Sequence, residues 1–231
     1  MNKLENWFCA TNFWRGITQK RLLPWMLDGS ELGSRVLELG AGPGAATSAL
    51  LQRFYSVTSL EYSSAFIARI ARDSRSGNSS TPFAGKESRV SPEKVWGGQA
   101  KQRVARIAEG SAARAVHGNT LQVVQGDATQ LPFAEGSFSC AIAILMLHHL
   151  RSAELQDSAL AEIRRVLQPG GILLAFEIHN GWLQRLAHTH STFVPFAASA
   201  ANARLNASGF SRVSVDFRPG GFLLRAQRGV E

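Results

Sequence analysis

The chain has 231 residues, 45% of them hydrophobic, with two cysteines and a formal net charge of +8. That length suits one well-buried domain and is short for two, and no stretch reaches the run of about eighteen apolar residues that a membrane span needs. Ten Lys/Arg against four Asp/Glu fall between Arg69 and Arg114, so six of the eight net charges are local and do not mark the whole molecule as a nucleic-acid binder.

The opening, MNKLENWFCATNFW, scatters charge among aromatics and has no apolar core of a secretory signal, which predicts a cytoplasmic protein. Residues 1–34 carry Trp7, Phe8, Phe13, Trp14 and Trp25 at partly helical spacing, as an amphipathic helix packed on a core would. Short Val/Ile/Leu/Phe runs bounded by turn residues predict strands at Arg35–Leu39 and Ser56–Glu61, with a helix over Ala45–Phe54 between them. A second helix is predicted over Ser64–Arg72.

Residues 74–99 are basic and rich in Ser, Gly and Pro, and cannot bury enough apolar surface to offset the entropy of ordering. They predict a flexible insertion rather than an RNA-binding arm, because the basic residues alternate with acids and Phe83 and Trp96 stand alone. Strands follow at Thr120–Gln125, Ser139–Leu145 and Gly171–Ile178, with a helix over Ala153–Leu167 that QPGG stops. Arg212–Phe217 and Gly221–Ala226 are separated only by Arg218, Pro219 and Gly220, too few for a crossover helix, so this pair predicts an antiparallel hairpin. The expected fold is a single α/β domain: a Rossmann-like doubly wound sheet of seven strands, mostly parallel, closed by the antiparallel C-terminal hairpin, with helices on both faces.

Cys9 and Cys140 have no CxxC or Cys/His spacing around them and read as free thiols. His179, His188 and His190 invite a metal reading, but His188 and His190, two apart, point away from each other on a helix, so no metal is expected. Trp182, Phe193 and Phe196 are candidates to line an acceptor pocket.

The chemistry concentrates in VLELGAGPGAAT, Val36 to Thr47, where Gly40, Gly42 and Gly44 follow the first strand. In an open parallel sheet ligands bind at the carboxyl ends of the strands, and bare backbone there allows close approach. Gly40, Gly42 and Ala45 formally satisfy a dinucleotide spacing. Against a diphosphate stands Glu38, whose carboxylate would repel it and favour a cationic ligand group. Plainer readings exist: a tight turn for the glycines, local pairing for Glu38, an ordinary strand end for Glu61, a side-chain-held turn for Asp127.

Glu38-Leu39-Gly40-Ala41-Gly42-Pro43-Gly44 resembles the E/DxGxGxG motif of class I S-adenosylmethionine-dependent methyltransferases. The similarity continues in order through SLEYS, GDATQLPF, FSCAIAILMLHHL and RRVLQPGGILLAFE, spanning Val36 to Glu177. It implies S-adenosylmethionine as cofactor, with Glu38, Gly40, Ala41, Gly42 and Gly44 at its methionine part and Glu61 accepting both ribose hydroxyls beside Tyr62. It further implies Asp127 at the adenine amino group, the Ala128 backbone beside the ring, Ile144 as a further cofactor contact, and residues 1–34 as a helical lid over cofactor and acceptor, a second use for the aromatics beside core packing. LPF and HHL look most like the small-molecule branch that includes ubiquinone and menaquinone biosynthesis methyltransferases, and no NPPY-type tetrapeptide follows the fourth strand. The chain departs from the pattern at Ser139, where an aspartate is usual, and in the basic insertion.

His148 and His149 follow the fourth strand and form the titratable pair nearest the expected pocket; His148 is the candidate general base, against a purely structural histidine. The expected activity is methyl transfer to a small acceptor by in-line displacement. The competing classes are an RNA methyltransferase steered by the insertion, a nicotinamide-dependent oxidoreductase, and a binding module without turnover.

Overall fold

The computed structural model describes residues 3–54, 56–76, 112–116, 119–181 and 192–230. Five strands run parallel: β1 (Arg35–Leu39), β2 (Ser56–Glu61), β4 (Asn119–Gln125), β5 (Phe138–Ile144) and β6 (Leu167–Ile178), with β1, β2 and β5 buried along most of their length as a sheet covered on both faces requires. β7 (Phe210–Arg218) and β8 (Gly221–Arg228) form the expected antiparallel hairpin, turned at Pro219 and Gly220, and β8 lies between β6 and β7. All seven predicted strands are present.

An eighth, β3 (Ala112–Val116), pairs antiparallel with β4 at the opposite edge, so the sheet order is β3-β4-β2-β1-β5-β6-β8-β7. Its sequence, AARAV, is alanine-rich and carries a single β-branched residue, which hides it from pattern reading. QPGG also behaves differently from expectation. β6 begins at Leu167, opposite Phe138, and regains register at Ile172 opposite Cys140, so these four residues bulge out within the strand rather than preceding it.

The helices are α1 (Lys3–Cys9), α2 (Asn12–Ile17), α3 (Leu23–Leu27), α4 (Thr47–Arg53), α5 (Ser64–Ser76), α6 (Ala153–Val166) and α7 (Ala201–Ala207) among the described residues, with a π turn at Thr18–Leu22 joining α2 to α3. α4 is shorter than expected at both ends, α6 ends one residue early, and α5 runs on to Ser76, taking up the first residues assigned to the insertion. The rest of the insertion, 77–99, with Phe83 and Trp96, lies outside the described residues, as do Trp182, His188 and His190.

Alternation along each strand divides the core. Leu37 and Leu39 of β1, Ala141 and Ala143 of β5, and Leu173 and Ala175 of β6 face α6 and α7, packing with Leu160, Ile163 and Leu205. Val36, Cys140, Ile142, Leu174 and Phe176 face the other way, onto Leu23 and Met26 of α3, Leu50 of α4 and Ile70 of α5. The N-terminal aromatics split: Trp14 and Trp25 pack on this second cluster, whereas Trp7 and Phe13 are 66% and 69% exposed. Both cysteines are free thiols, Cys140 buried in β5 and Cys9 half-buried in α1.

Two polar clips lock the sheet. Ser139, where a carboxylate was expected by resemblance, both accepts from the Arg35 N–H (3.1 Å) and donates to the Arg35 carbonyl (2.9 Å), fastening β5 to the start of β1. Arg228 on β8 is 8% exposed and donates from Nη1 to the carbonyls of Arg164, Arg165 and Leu167, the carbonyls left over where α6 ends. Arg228→Leu is therefore expected to destabilise the fold by about 2–4 kcal/mol, the cost of orphaning buried carbonyls, in equilibrium urea unfolding. Glu135→Gln, which removes only the exposed partner of Arg228, should leave the midpoint nearly unchanged.

Candidate functional site

The parallel register brings the carboxyl ends of β1, β2, β4, β5 and β6 to one edge of the sheet, with Leu39 beside both Leu60 and Ala143, Glu61 beside Gln125, and Ile144 beside Phe176. The turn after β1 starts by crossing onto β2: the Gly40 and Ala41 N–H groups both donate to the Leu60 carbonyl, at 2.9 and 3.2 Å. Gly40 has φ +65°, and a Cβ there would lie 2.6 Å from the Met146 side chain. Gly42 has φ +53°, and a Cβ there would meet nothing nearer than 4.0 Å, so its bare backbone borders open space.

Glu61, at the end of β2, is 8% exposed and holds two loops with one carboxylate. Oε2 accepts from the Gly42 N–H (2.7 Å) and Oε1 from the Ser63 N–H (2.8 Å). Each oxygen keeps a second lone pair. Tyr62, next in the chain, is 74% exposed.

Glu38 lies beneath the glycine turn, 4% exposed, and its Oε2 accepts from the hydroxyls of Thr47 (2.7 Å) and Ser59 (2.6 Å), joining α4 to β2 through β1. Burial pushes its carboxyl up to about 7, opposed by those two hydroxyls and assisted by the neighbouring charge of Glu61. Ala41 and Ala45 of the turn are buried.

Beyond β4, Asp127 is exposed and its Oδ1 accepts from both the N–H (2.8 Å) and the hydroxyl (2.7 Å) of Thr129, the turn-holding role that Gly-Asp also suggested. Asp127, Gly126, Gln125, Tyr62, Ser63 and Ser64 line an open cleft of about 560 Å³. Ala128 is buried in the main core, and Ile144 is half-buried at the end of β5. The following LPF segment is pinned by α6, with Arg165 donating to the carbonyls of Leu131 and Phe133 and Glu162 accepting from the Leu131 N–H.

Past β5 the chain is strained and then clamped. Leu145 adopts φ +55°, rare for a residue with a branched side chain, and its N–H donates to the Phe176 carbonyl at 2.8 Å. Met146, Leu147 and His148 then gather on one residue that the motif comparison did not single out, Glu177 at the end of β6. Its carboxylate is fully buried, accepting from the Met146 N–H (3.1 Å) and Leu147 N–H (2.7 Å) at Oε1 and facing His148 Nδ1 at 2.5 Å with Oε2. A signal existed in the sequence: a carboxylate closing the apolar run ILLAF needs partners if the strand is buried.

His148 is itself buried, with Phe193 packed edge-on at 5.5 Å between ring centroids and His149 at 4.2 Å. The main chain of Val194 donates to the His148 carbonyl (2.9 Å), and Gln156 donates to the carbonyls of Leu147 and Val194. Phe193 thus sits against the histidine pair, whereas Phe196 is buried beneath Arg204, 4.4 Å from its ring centroid. His179 lies elsewhere, stacked on Phe217. Among the described residues no group of three or more His, Cys, Asp or Glu would hold a metal ion.

Glu38 makes folding pH-dependent. Because its proton is held more tightly in the folded chain than in the unfolded one, its stabilising contribution is complete below about pH 4.5 and is lost as pH rises through about 7, amounting to about 3 kcal/mol. Glu38→Gln is expected to flatten that part of the curve of unfolding free energy against pH; an unaltered slope would contradict the assignment.

A methyltransferase domain family matches residues 76–175. The chain is 41% identical over 61 residues to the ubiquinone/menaquinone biosynthesis C-methyltransferase of Hahella chejuensis, covering 26% of this chain and 23% of that one. It is 42% identical over 62 residues to an uncharacterised methyltransferase of Synechocystis, covering 26% and 29%. The matched stretch thus spans less than a third of the length of these relatives. Among solved structures, an S-adenosylmethionine-dependent methyltransferase of Methanosarcina mazei superposes with a TM-score of 0.61 at 19% identity, over 90% of this chain and 98% of that one. The ordered motifs and the matched domain make this chain similar to the class I S-adenosylmethionine-dependent methyltransferases, and the superposition shows that it shares their fold.

Proposed function

We propose that the chain transfers the methyl group of S-adenosylmethionine to a small-molecule acceptor and works in the cytoplasm. The observation that carries this is the acidic glycine turn: Glu61 grips the Gly42 N–H, the buried Glu38 ties the strand before the turn to Thr47 after it, and an open cleft begins at Tyr62. The donor set suits that cofactor. The carboxylate of Glu61 beside the turn favours a cationic amino acid head over a diphosphate, and a side chain at Gly42 would fill the space that borders its backbone.

In this reading Gly40, Ala41, Gly42 and Gly44 hold the methionine part, with Glu38 beneath them as the structural acid that ties the turn to α4 and β2. Glu61 accepts the ribose hydroxyls with its remaining lone pairs, beside Tyr62. Asp127 takes the adenine amino group, with the Ala128 backbone and Ile144 flanking the ring. S-adenosylmethionine supplies an electrophilic methyl carbon on a sulfonium whose sulfur recovers the bonding pair as neutral S-adenosylhomocysteine. The residues after β5 and around Phe193 exclude water and orient the acceptor, and His148 takes the acceptor's proton. The kinship of the matched stretch with quinone-biosynthesis methyltransferases supports an acceptor that is a small organic ring rather than a polymer.

The test is calorimetric titration of S-adenosylhomocysteine into the full chain, beside Glu61→Ala and with the reduced nicotinamide cofactor as control. Binding that weakens at least tenfold in Glu61→Ala, about 1.4 kcal/mol, supports the reading. Heat from the nicotinamide compound and none from S-adenosylhomocysteine would overturn it. Gly40→Ala, which drives a methyl group into Met146, is expected to weaken the same titration by tenfold or more.

A further inference from the structure

We propose that Arg218, beside the turn of the C-terminal hairpin, is an oxyanion subsite for the methyl acceptor: an acceptor made of a flat apolar ring and a carboxylate or phosphate lays its ring against Trp25 and its anion on the guanidinium. The inference rests on the methyl-transfer reading for its purpose and names a class of acceptor within it, but its geometry stands apart from it.

The sheet register puts Arg218 at the end of the molecule where the parallel strands finish. Arg218 pairs with Gly221 and Gly221 with Ile178, two residues past Phe176, which itself pairs with Ile144 at the end of β5. The hairpin turn therefore projects about 7 Å beyond Phe176 along the strand direction. Alternation places Arg218 on the same face of β7 as Asp216, the face on which Leu223 of β8 packs with Leu23 and Met26 of α3. Trp25 of α3 joins the two. Its ring meets Phe176 edge-on at 6.1 Å between centroids, and the Arg218 guanidinium lies over it, with Cζ 4.9 Å from the centroid. Trp25 and Leu145 are half-buried, so part of this apolar surface reaches solvent.

Arg218 combines a fixed seat with unused donors. The strand ladder holds its main chain, His179 Nε2 donates to its carbonyl (3.3 Å), and the indole holds the guanidinium plane. Arg165, Arg204, Arg225 and Arg228 all spend their N–H groups on carbonyls or side chains. Among the described residues none of the five N–H groups of Arg218 has a hydrogen-bond or ion-pair partner. The carboxylate on the same face, Asp216, stands 3.4 Å from Arg225, which also donates to the Ser30 hydroxyl (2.7 Å) and the Trp25 carbonyl (3.1 Å). Those two charges cancel, and the charge of Arg218 is left uncompensated.

The surroundings suit an anion. Arg218 is exposed, and a Cβ at Gly220 would meet nothing within 4 Å, so the space over the turn is open. The guanidinium lies over Trp25 and so beside β6, three strand spacings from Glu61 on β2. That is about 14 Å, beyond the screening length of about 8 Å, so the acid that repels a diphosphate at the glycine turn does not reach it. A guanidinium fork matches carboxylate and phosphate with two parallel hydrogen bonds, and one already stacked on an indole gives up little further freedom when it binds.

The experiment is nitrogen-15 NMR of arginine-labelled, cofactor-free full chain, with the Arg218 Nε–H resonance identified by its loss in Arg218→Lys. Benzoate, phenyl phosphate, benzamide and inorganic phosphate are titrated in turn. A saturable shift with benzoate or phenyl phosphate is expected, the tighter of the two identifying the anion, with benzamide and inorganic phosphate at least tenfold weaker. In calorimetry at the same ionic strength Arg218→Gln is expected to weaken that ligand at least tenfold, about 1.4 kcal/mol, with a cooperative melt retained. No saturable shift with either aromatic anion overturns the proposal. So does benzamide binding as tightly as the anions, which reduces the site to its apolar surface, or inorganic phosphate binding as tightly, which reduces it to a bare charge. Unchanged affinity in a folded R218Q overturns it too, by placing the anion on another basic group. The wild-type titrations decide even where R218Q does not fold. Because they need no cofactor, their failure is distinguishable from that of the methyl-transfer reading, which fails when wild type itself does not bind S-adenosylhomocysteine.

Discussion

Four main-chain amides at one edge of the sheet donate to two side-chain carboxylates: Gly42 and Ser63 to Glu61, Met146 and Leu147 to Glu177. A parallel sheet delivers its strand ends to a common edge but leaves the loops beyond them with N–H groups that have no ladder to join. An acid at the last position of a strand, as Glu61, or one before it, as Glu177, solves this locally. It is fixed by the sheet, and each oxygen accepts from a loop that would otherwise be set only by its own weak preferences. The glycine turn and the strained turn after β5 both take their shape from these two residues, and they meet where Met146 packs under Gly40.

The third acid completes the picture by being different. Glu38 is closed in by Thr47 and Ser59, whose hydroxyls do not offset the loss of water, and its proton is held to about pH 7. Glu61, with two amide donors, is next in the chain to Tyr62 and Ser63, which line the cleft. The arrangement makes the edge attractive to cations and hydroxyl donors and hostile to phosphate. That is the physical ground for preferring a sulfonium cofactor over a dinucleotide, although the glycine spacing alone fits either.

The far side of the site is built from α6 outward. Arg165 and Glu162 hold the LPF segment, Gln156 spans Leu147 and Val194, and Arg204 secures Gln156 and covers Phe196. One amphipathic helix thereby sets both the loop that follows β4 and the segment that packs Phe193 against His148. Its polar face is less a solvated surface than a set of struts, which hydrophobic periodicity does not reveal.

Much of this was legible in the chain. Strands buried on both faces read as apolar runs, the glycines mark the turn, and a three-residue link forces a hairpin; these are local signals with local causes. β3 was not legible, because its pairing with β4 compensates for an alanine-rich sequence, nor was the bulge that draws QPGG into β6. The split of the N-terminal aromatics into packed and exposed also needed the second core cluster to be seen. What the sequence by itself determined is the order of elements and the residue types at the strand ends. Only the tertiary structure decided what those residues do: Glu177 acts on partners 29 to 31 positions away and Glu38 on a hydroxyl 21 positions away. Burial, hydrogen-bond supply and proton affinity belong to neighbours in space, which spacing along the chain does not encode.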